Sequence, residues 1–142
     1  MWTARRLPIS AWIFVACGIW LIGLGVYFAV LRPPLLPEDP RYIGSSLTEI
    51  EAALPGLARW LSRVFAVMGG FMAAAGALTV FVAATAVPAR TRATGWILAL
   101  AGLLTVMLMS ATNFAIGSDF KWVLLVPALL WIAGVCTYAL KR

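Results

Sequence analysis

Four stretches of this chain contain no Asp, Glu, Lys, Arg or His: residues 7–31, 64–89, 93–118 and 122–140, which are 25, 26, 26 and 19 residues long. Every charged side chain lies between or outside them. A hydrocarbon core about 30 Å thick is crossed by about 20 apolar residues, because a helix rises about 1.5 Å per residue. Lipid offers no hydrogen bonds to the backbone, so a crossing segment is a helix or part of a closed barrel. Barrel strands alternate apolar and polar residues over segments of about ten. These runs are continuous, which selects helices. The sequence therefore predicts an all-α, four-helix transmembrane bundle with spans at about 9–31, 61–87, 94–116 and 121–140. With 63% hydrophobic and 11% charged residues, the 142-residue chain reads as a single integral membrane domain. Soluble domains carry about 25% charged residues.

Arg5 and Arg6 ahead of an apolar run imitate a signal sequence, but a signal core is about 7–15 residues and this one is 25, so the first span is expected to stay. The charges divide unevenly between the two sides. One side receives Arg5, Arg6, Arg90, Arg92, Lys141 and Arg142 with no acid. The other receives Arg32, Arg41, Arg59, Arg63 and Lys121 together with Glu38, Asp39, Glu49, Glu51 and Asp119. Cytoplasmic segments are enriched in Lys and Arg, which places both termini in the cytoplasm of a bacterial inner membrane. Basic clusters of only two residues read as topology signals, and nucleic acid is not expected as a partner.

The 32–60 segment is the one sizeable loop, on the outer side in this orientation. Its Arg32-Pro33-Pro34-Leu35-Leu36-Pro37-Glu38-Asp39-Pro40 opening predicts a stiff, extended strand of chain. Ser46 and Glu49 have capping-box spacing, and Leu47, Ile50 and Leu54 form an apolar stripe, so a short interfacial helix is expected before Pro55-Gly56. In the second span Ala66, Gly70 and Ala74, and likewise Gly69, Ala73 and Ala77, repeat small residues every four positions. Such rows let another helix approach closely, which predicts a central second helix intolerant of bulk at Gly69 or Gly70. The short 87–92 turn predicts that the second and third spans pack as antiparallel neighbours. Cys17 and Cys136 lie in the first and fourth spans and are expected to be free and buried.

Candidate chemistry is sparse. Asn113 is the most polar side chain in any span and suits either an interhelical hydrogen bond or contact with a substrate. Asp119, Lys121, Arg59, Arg63, Glu38 and Asp39 are candidates for a polar site on the outer face. With no His, no charged residue in the interior of a span and no nucleophile paired with a base, the chain has no recognisable catalytic or metal set and no cofactor is expected.

The segments Leu35-Leu36-Pro37-Glu38-Asp39-Pro40-Arg41-Tyr42 and Asn113-Phe114-Ala115-Ile116-Gly117-Ser118-Asp119-Phe120-Lys121-Trp122 resemble a family of uncharacterised bacterial four-helix membrane proteins. More loosely, the architecture is similar to the DoxX-like group of small four-span proteins. The resemblance implies four spans and a bacterial inner membrane, and brings no catalytic residue. The leading expectation is a non-enzymatic protein that acts by helix–helix contact, as an accessory subunit or a homo-oligomer in the bilayer. The alternative is binding or transport of a lipophilic small molecule such as a quinone or lipid. It requires an apolar pocket opening toward Asn113, Arg63 or Lys121.

Overall fold

The structure is a computed structural model that describes residues 7–140. Arg5, Arg6, Lys141 and Arg142, which set the predicted orientation, lie outside the described residues. Helix α1 (Ile9–Val26) continues through a π-turn (Tyr27–Leu31) into a loop holding α2 (Glu38–Ile43) and α3 (Leu47–Ala53). Helix α4 (Leu57–Thr85) follows, then a 3₁₀ turn (Val87–Ala89). The third rod is α5 (Arg92–Gly102), a second π-turn (Leu103–Met107) and α6 (Leu108–Ala115); α7 (Lys121–Leu140) is the fourth. The four rods Ile9–Leu31, Leu57–Ala89, Arg92–Ala115 and Lys121–Leu140 are each long and apolar enough to cross a membrane. No strand occurs among the described residues. The end bearing α2 and α3 is called here the loop side, and the opposite end the termini side.

The surface of the rods confirms their solvent. Phe71 is 73% exposed and Trp96 76%. Apolar side chains cover the outside of the bundle to an extent that water does not tolerate. This is a multi-pass membrane protein.

Helix α1 occupies the middle. It packs against α4 on one flank and α7 on the other, while the third rod packs against α7. The second span is therefore peripheral rather than central. It also hardly touches the third rod, although a short turn joins them. The cause lies in where the small residues point. Ala11, Gly18 and Gly25 recur every seven residues on α1, and Gly69, Gly76 and Ala83 do so on α4; all six are buried. Seven residues is close to two helical turns, so each set forms one line. A Cβ on Gly25 would sit 2.6 Å from the Gly69 carbonyl oxygen, and one on Gly18 would sit 2.8 Å from that of Gly76. The backbones meet without intervening side chains, which is how helices gain packing energy in lipid.

This seam corrects the predicted small-residue rows. Gly69 lies in it, with Ala73 against Gly25. Gly70, Ala74 and Ala77 face outward, Ala66 is half-buried at the edge, and nothing lies within 4 Å of a Cβ built on Gly70.

The α1–α7 and third-rod contacts use aromatic side chains set into glycine notches. Phe14 and Trp131 meet edge to face at 5.5 Å between centroids, and Phe14 lies against Gly134. The Trp131 indole fills the space where Gly102 lacks a side chain and donates a 2.8 Å hydrogen bond to the Leu98 carbonyl. Near the termini side, Tyr138 packs on Gly95, and its hydroxyl donates to the Thr91 carbonyl at 2.9 Å. Both cysteines are free, but only Cys17 is buried; Cys136 is exposed, contrary to expectation.

The proline-rich loop holds a second surprise. The 38–43 segment is helical rather than extended. Proline is tolerated in a first turn, where its missing N–H has no intrahelical partner, and here Pro40 is the third helical residue. The Asp39 carboxylate accepts from Leu36 N–H at 2.7 Å, and Gly44, at φ 78°, ends the helix in the left-handed region that favours glycine. Helix α3 forms as predicted, with Ser46 and Glu49 completing a capping box.

Candidate functional site

Because α4 leans on α1 rather than on the third rod, a groove of about 510 Å³ remains between them, floored by α1. Leu21 and Phe28 form the floor. Helix α4 contributes Met68, Phe71, Met72 and Ala75. From the third rod come Leu104, Thr105, Leu108, Met109, Thr112 and Asn113. On every rod these residues run from mid-span toward the loop side, a length of about 10–13 Å at 1.5 Å per residue. The walls are apolar, and methionine makes them adaptable, since its unbranched thioether chain fills irregular gaps.

Two π-turns border this groove. Phe28 belongs to the Tyr27–Leu31 turn, and Leu104 and Thr105 belong to the Leu103–Met107 turn. In the first, Arg32 N–H reaches back five residues to the Tyr27 carbonyl at 2.8 Å. A π-turn inserts one residue into an α-helix and re-aims the side chains around it, and such turns concentrate at functional sites. Among the described residues these are the only two π-turns, and they face the same space.

Polar groups enter the groove only from the third rod. Thr105 is spent on its own helix, donating to the Ala101 carbonyl at 2.6 Å. Asn113 donates from Nδ2 to the Met109 carbonyl at 2.9 Å. Its Oδ1 accepts nothing from the described residues, and the second Nδ2 hydrogen is also unused. Neighbouring Thr112 is exposed at the same level.

The charged candidates form a separate cluster on the loop side. Buried Glu38 accepts from Ser118 Oγ at 2.6 Å and from the Asp119 N–H at 3.4 Å. Arg41 donates to Asp119 at 2.9 Å on the exposed rim. These contacts fasten α2 across the turn before α7. They also join the 35–42 and 113–122 segments, which lie far apart in the chain. Asp39 pairs with Arg32 at 3.5 Å. The Arg32 guanidinium in turn lies 3.7 Å from the Phe65 ring centroid and 5.3 Å from that of Phe28, the residue that floors the groove. Glu38, Asp39 and Asp119 are thus brought together, while Lys121 is half-buried without an ion-pair partner among the described residues. Arg59 and Arg63 are exposed on the side of α4 opposite the Met68–Met72 stripe. Of all the predicted site residues, only Asn113 lines the groove.

On α3, Glu49 accepts from the Ser46 backbone N–H and the Ser45 hydroxyl, each at 2.8 Å, which holds its carboxyl below the ordinary glutamate value. The described residues contain no cluster of His, Cys, Asp or Glu able to hold a metal ion. No family model, curated protein or solved structure matches this chain.

Nothing in the sequence marks Arg32, Phe28 or the three groove methionines as site residues. Arg32 looks like one loop charge among several. The groove exists because two rods fail to pack, which no local motif announces.

Proposed function

We propose that the protein binds a lipophilic small molecule in the groove between the second and third rods, in a bacterial inner membrane with both termini in the cytoplasm. The observation that carries this reading is the convergence of two π-turns and a half-used Asn113 on one apolar, open-sided space. It meets the requirement set by the sequence, a pocket opening toward Asn113. Arg63 and Lys121 stand apart from it. The absence of a nucleophile–base pair or a paired-carboxylate arrangement in the lining favours binding or transfer of the molecule over chemistry upon it.

Native mass spectrometry after extraction in mild detergent tests the reading. The wild type should retain a lipophilic adduct. A groove-filling Met72→Trp/Leu104→Trp variant should lose it while keeping its helical circular dichroism. Equal adduct retention in both proteins would overturn the assignment.

A second reading, action by contact with another membrane helix, draws on the outward Gly70 and Ala74 row. It predicts that Gly70→Leu abolishes an oligomer or partner complex that the wild type forms in nanodiscs. A wild type that is monomeric and partner-free there would remove it.

A further inference from the structure

The groove also specifies the chemistry of its occupant, an inference that rests on the groove being a ligand site. No charged side chain is among its lining residues. The cation over the lining residue Phe28, Arg32, is already committed to Asp39, to the Pro33 carbonyl at 2.9 Å and to two aromatic rings. Its side chain is only 9% exposed, so it offers nothing to an anionic headgroup. Of the carboxylates in the loop-side cluster, Glu38 is directed at Ser118 and Asp119, Asp39 at Arg32 and Asp119 at Arg41. A charged head drawn in among these apolar walls would meet no counter-ion, and unpaired charge is expensive inside a membrane.

What the site does offer is neutral and directional. Asn113 Oδ1 is an unused acceptor, and its remaining amide hydrogen is a donor. A hydroxyl suits either group, giving a proton to Oδ1 or accepting from Nδ2, whereas a carbonyl or ether head uses the donor alone. Asn113 lies at the loop-side end and Leu104 near mid-span, so an apolar tail points from the first toward the second. We infer that the ligand is an uncharged amphiphile with a hydroxyl head, seated at Asn113 in the leaflet of the loop side, its hydrocarbon tail lying along Met72 and Leu104.

Photolabelling of the full chain in phosphatidylcholine nanodiscs tests this. Three probes carry a diazirine in the same hydrocarbon chain and differ only in the head: an alcohol, a sulfate and a trimethylammonium. The alcohol should label peptides covering 68–75 and 104–113 about 3- to 10-fold more than either charged probe, the range set by one hydrogen bond in a bilayer. Excess unlabelled alcohol should compete. Asn113→Leu should reduce the alcohol to the level of the charged probes, while Asn113→Gln should keep most of the preference. Competable labelling of the same peptides by a charged probe, at or above the alcohol's level, would overturn the inference about the head and leave the groove a ligand site. Uniform, non-competable labelling of all outward helix faces would overturn both. Cross-links joining two copies of the chain through these peptides would assign the groove to a second protomer and overturn both as well.

Discussion

The α1–α4 seam and the gap between α4 and the third rod flank the same helix and are solved in opposite ways. On the seam side α4 presents Gly69, Gly76 and Ala83 at seven-residue intervals, and the α1 backbone closes directly onto Gly69 and Gly76. On the gap side it presents Met68, Phe71, Met72 and Ala75 to a partner that hardly touches it. The bilayer explains why both are stable. Apolar side chains gain no hydrophobic energy from leaving lipid, so close van der Waals packing, at small residues above all, and buried hydrogen bonds hold rods together. A gap lined by methionine and leucine costs little if hydrocarbon fills it. Small residues therefore mark where this bundle is closed, and large flexible ones mark where it is open.

Substitution at the seam should have the largest effect. Gly69→Leu forces a side chain into the Gly25 carbonyl and Ala29, and should destabilise the bundle by roughly 3 kcal/mol or more in thermal or SDS unfolding. Gly70→Leu, one residue away but facing outward, should stay within about 0.5 kcal/mol of wild type. Equal losses at the two positions would break the distinction.

The loop-side fastening comes next. Glu38→Ala leaves the fully buried Ser118 hydroxyl without its 2.6 Å acceptor, at a cost of about 1–3 kcal/mol. Hydrogen exchange of the 36–43 amides should rise in step.

Trp131→Phe removes the bond to the Leu98 carbonyl but keeps the ring against Phe14, for a loss of about 1 kcal/mol. In the gap, Met72→Ala should cost less than about 1 kcal/mol, because lipid replaces the lost contacts. Methionine to alanine in a closed core costs about 2–5 kcal/mol.

The smallest effect is local. The lowered carboxyl of Glu49 means that its contribution to α3 is fully present above the unfolded-state value and disappears as pH falls through the lower folded one. Amide exchange at Glu49, corrected for intrinsic rates, should therefore speed up on acidification while the span amides stay protected.

Much of this architecture is written in the sequence. Charge-free lengths give the four rods, and Ser46 and Glu49 give α3. The predicted spacing within α4 fails in an instructive way. A four-residue row through Ala66, Gly70 and Ala74 is equally visible, but the partner glycines on α1, Gly18 and Gly25, are spaced by seven and match Gly69 and Gly76. Matching the period on both helices would have selected the right face. The 38–43 helix was masked by four prolines, Pro33, Pro34, Pro37 and Pro40; the last two stand at its N-cap and in its first turn, where proline is permissive. The groove had no local signature: Asn113 marked one end of it, but its walls are ordinary apolar residues whose neighbour is missing.

The claim that this gap is open to hydrocarbon is tested most directly by NMR on protein carrying ¹³C-methyl methionine in nanodiscs. The methyls of Met72 and Met109 should show nuclear Overhauser contacts to non-protein hydrocarbon protons; deuterating the lipid should erase those from acyl chains and leave those from a bound amphiphile. If those two methyls contact only protein protons, the second and third rods are packed together and the account is wrong.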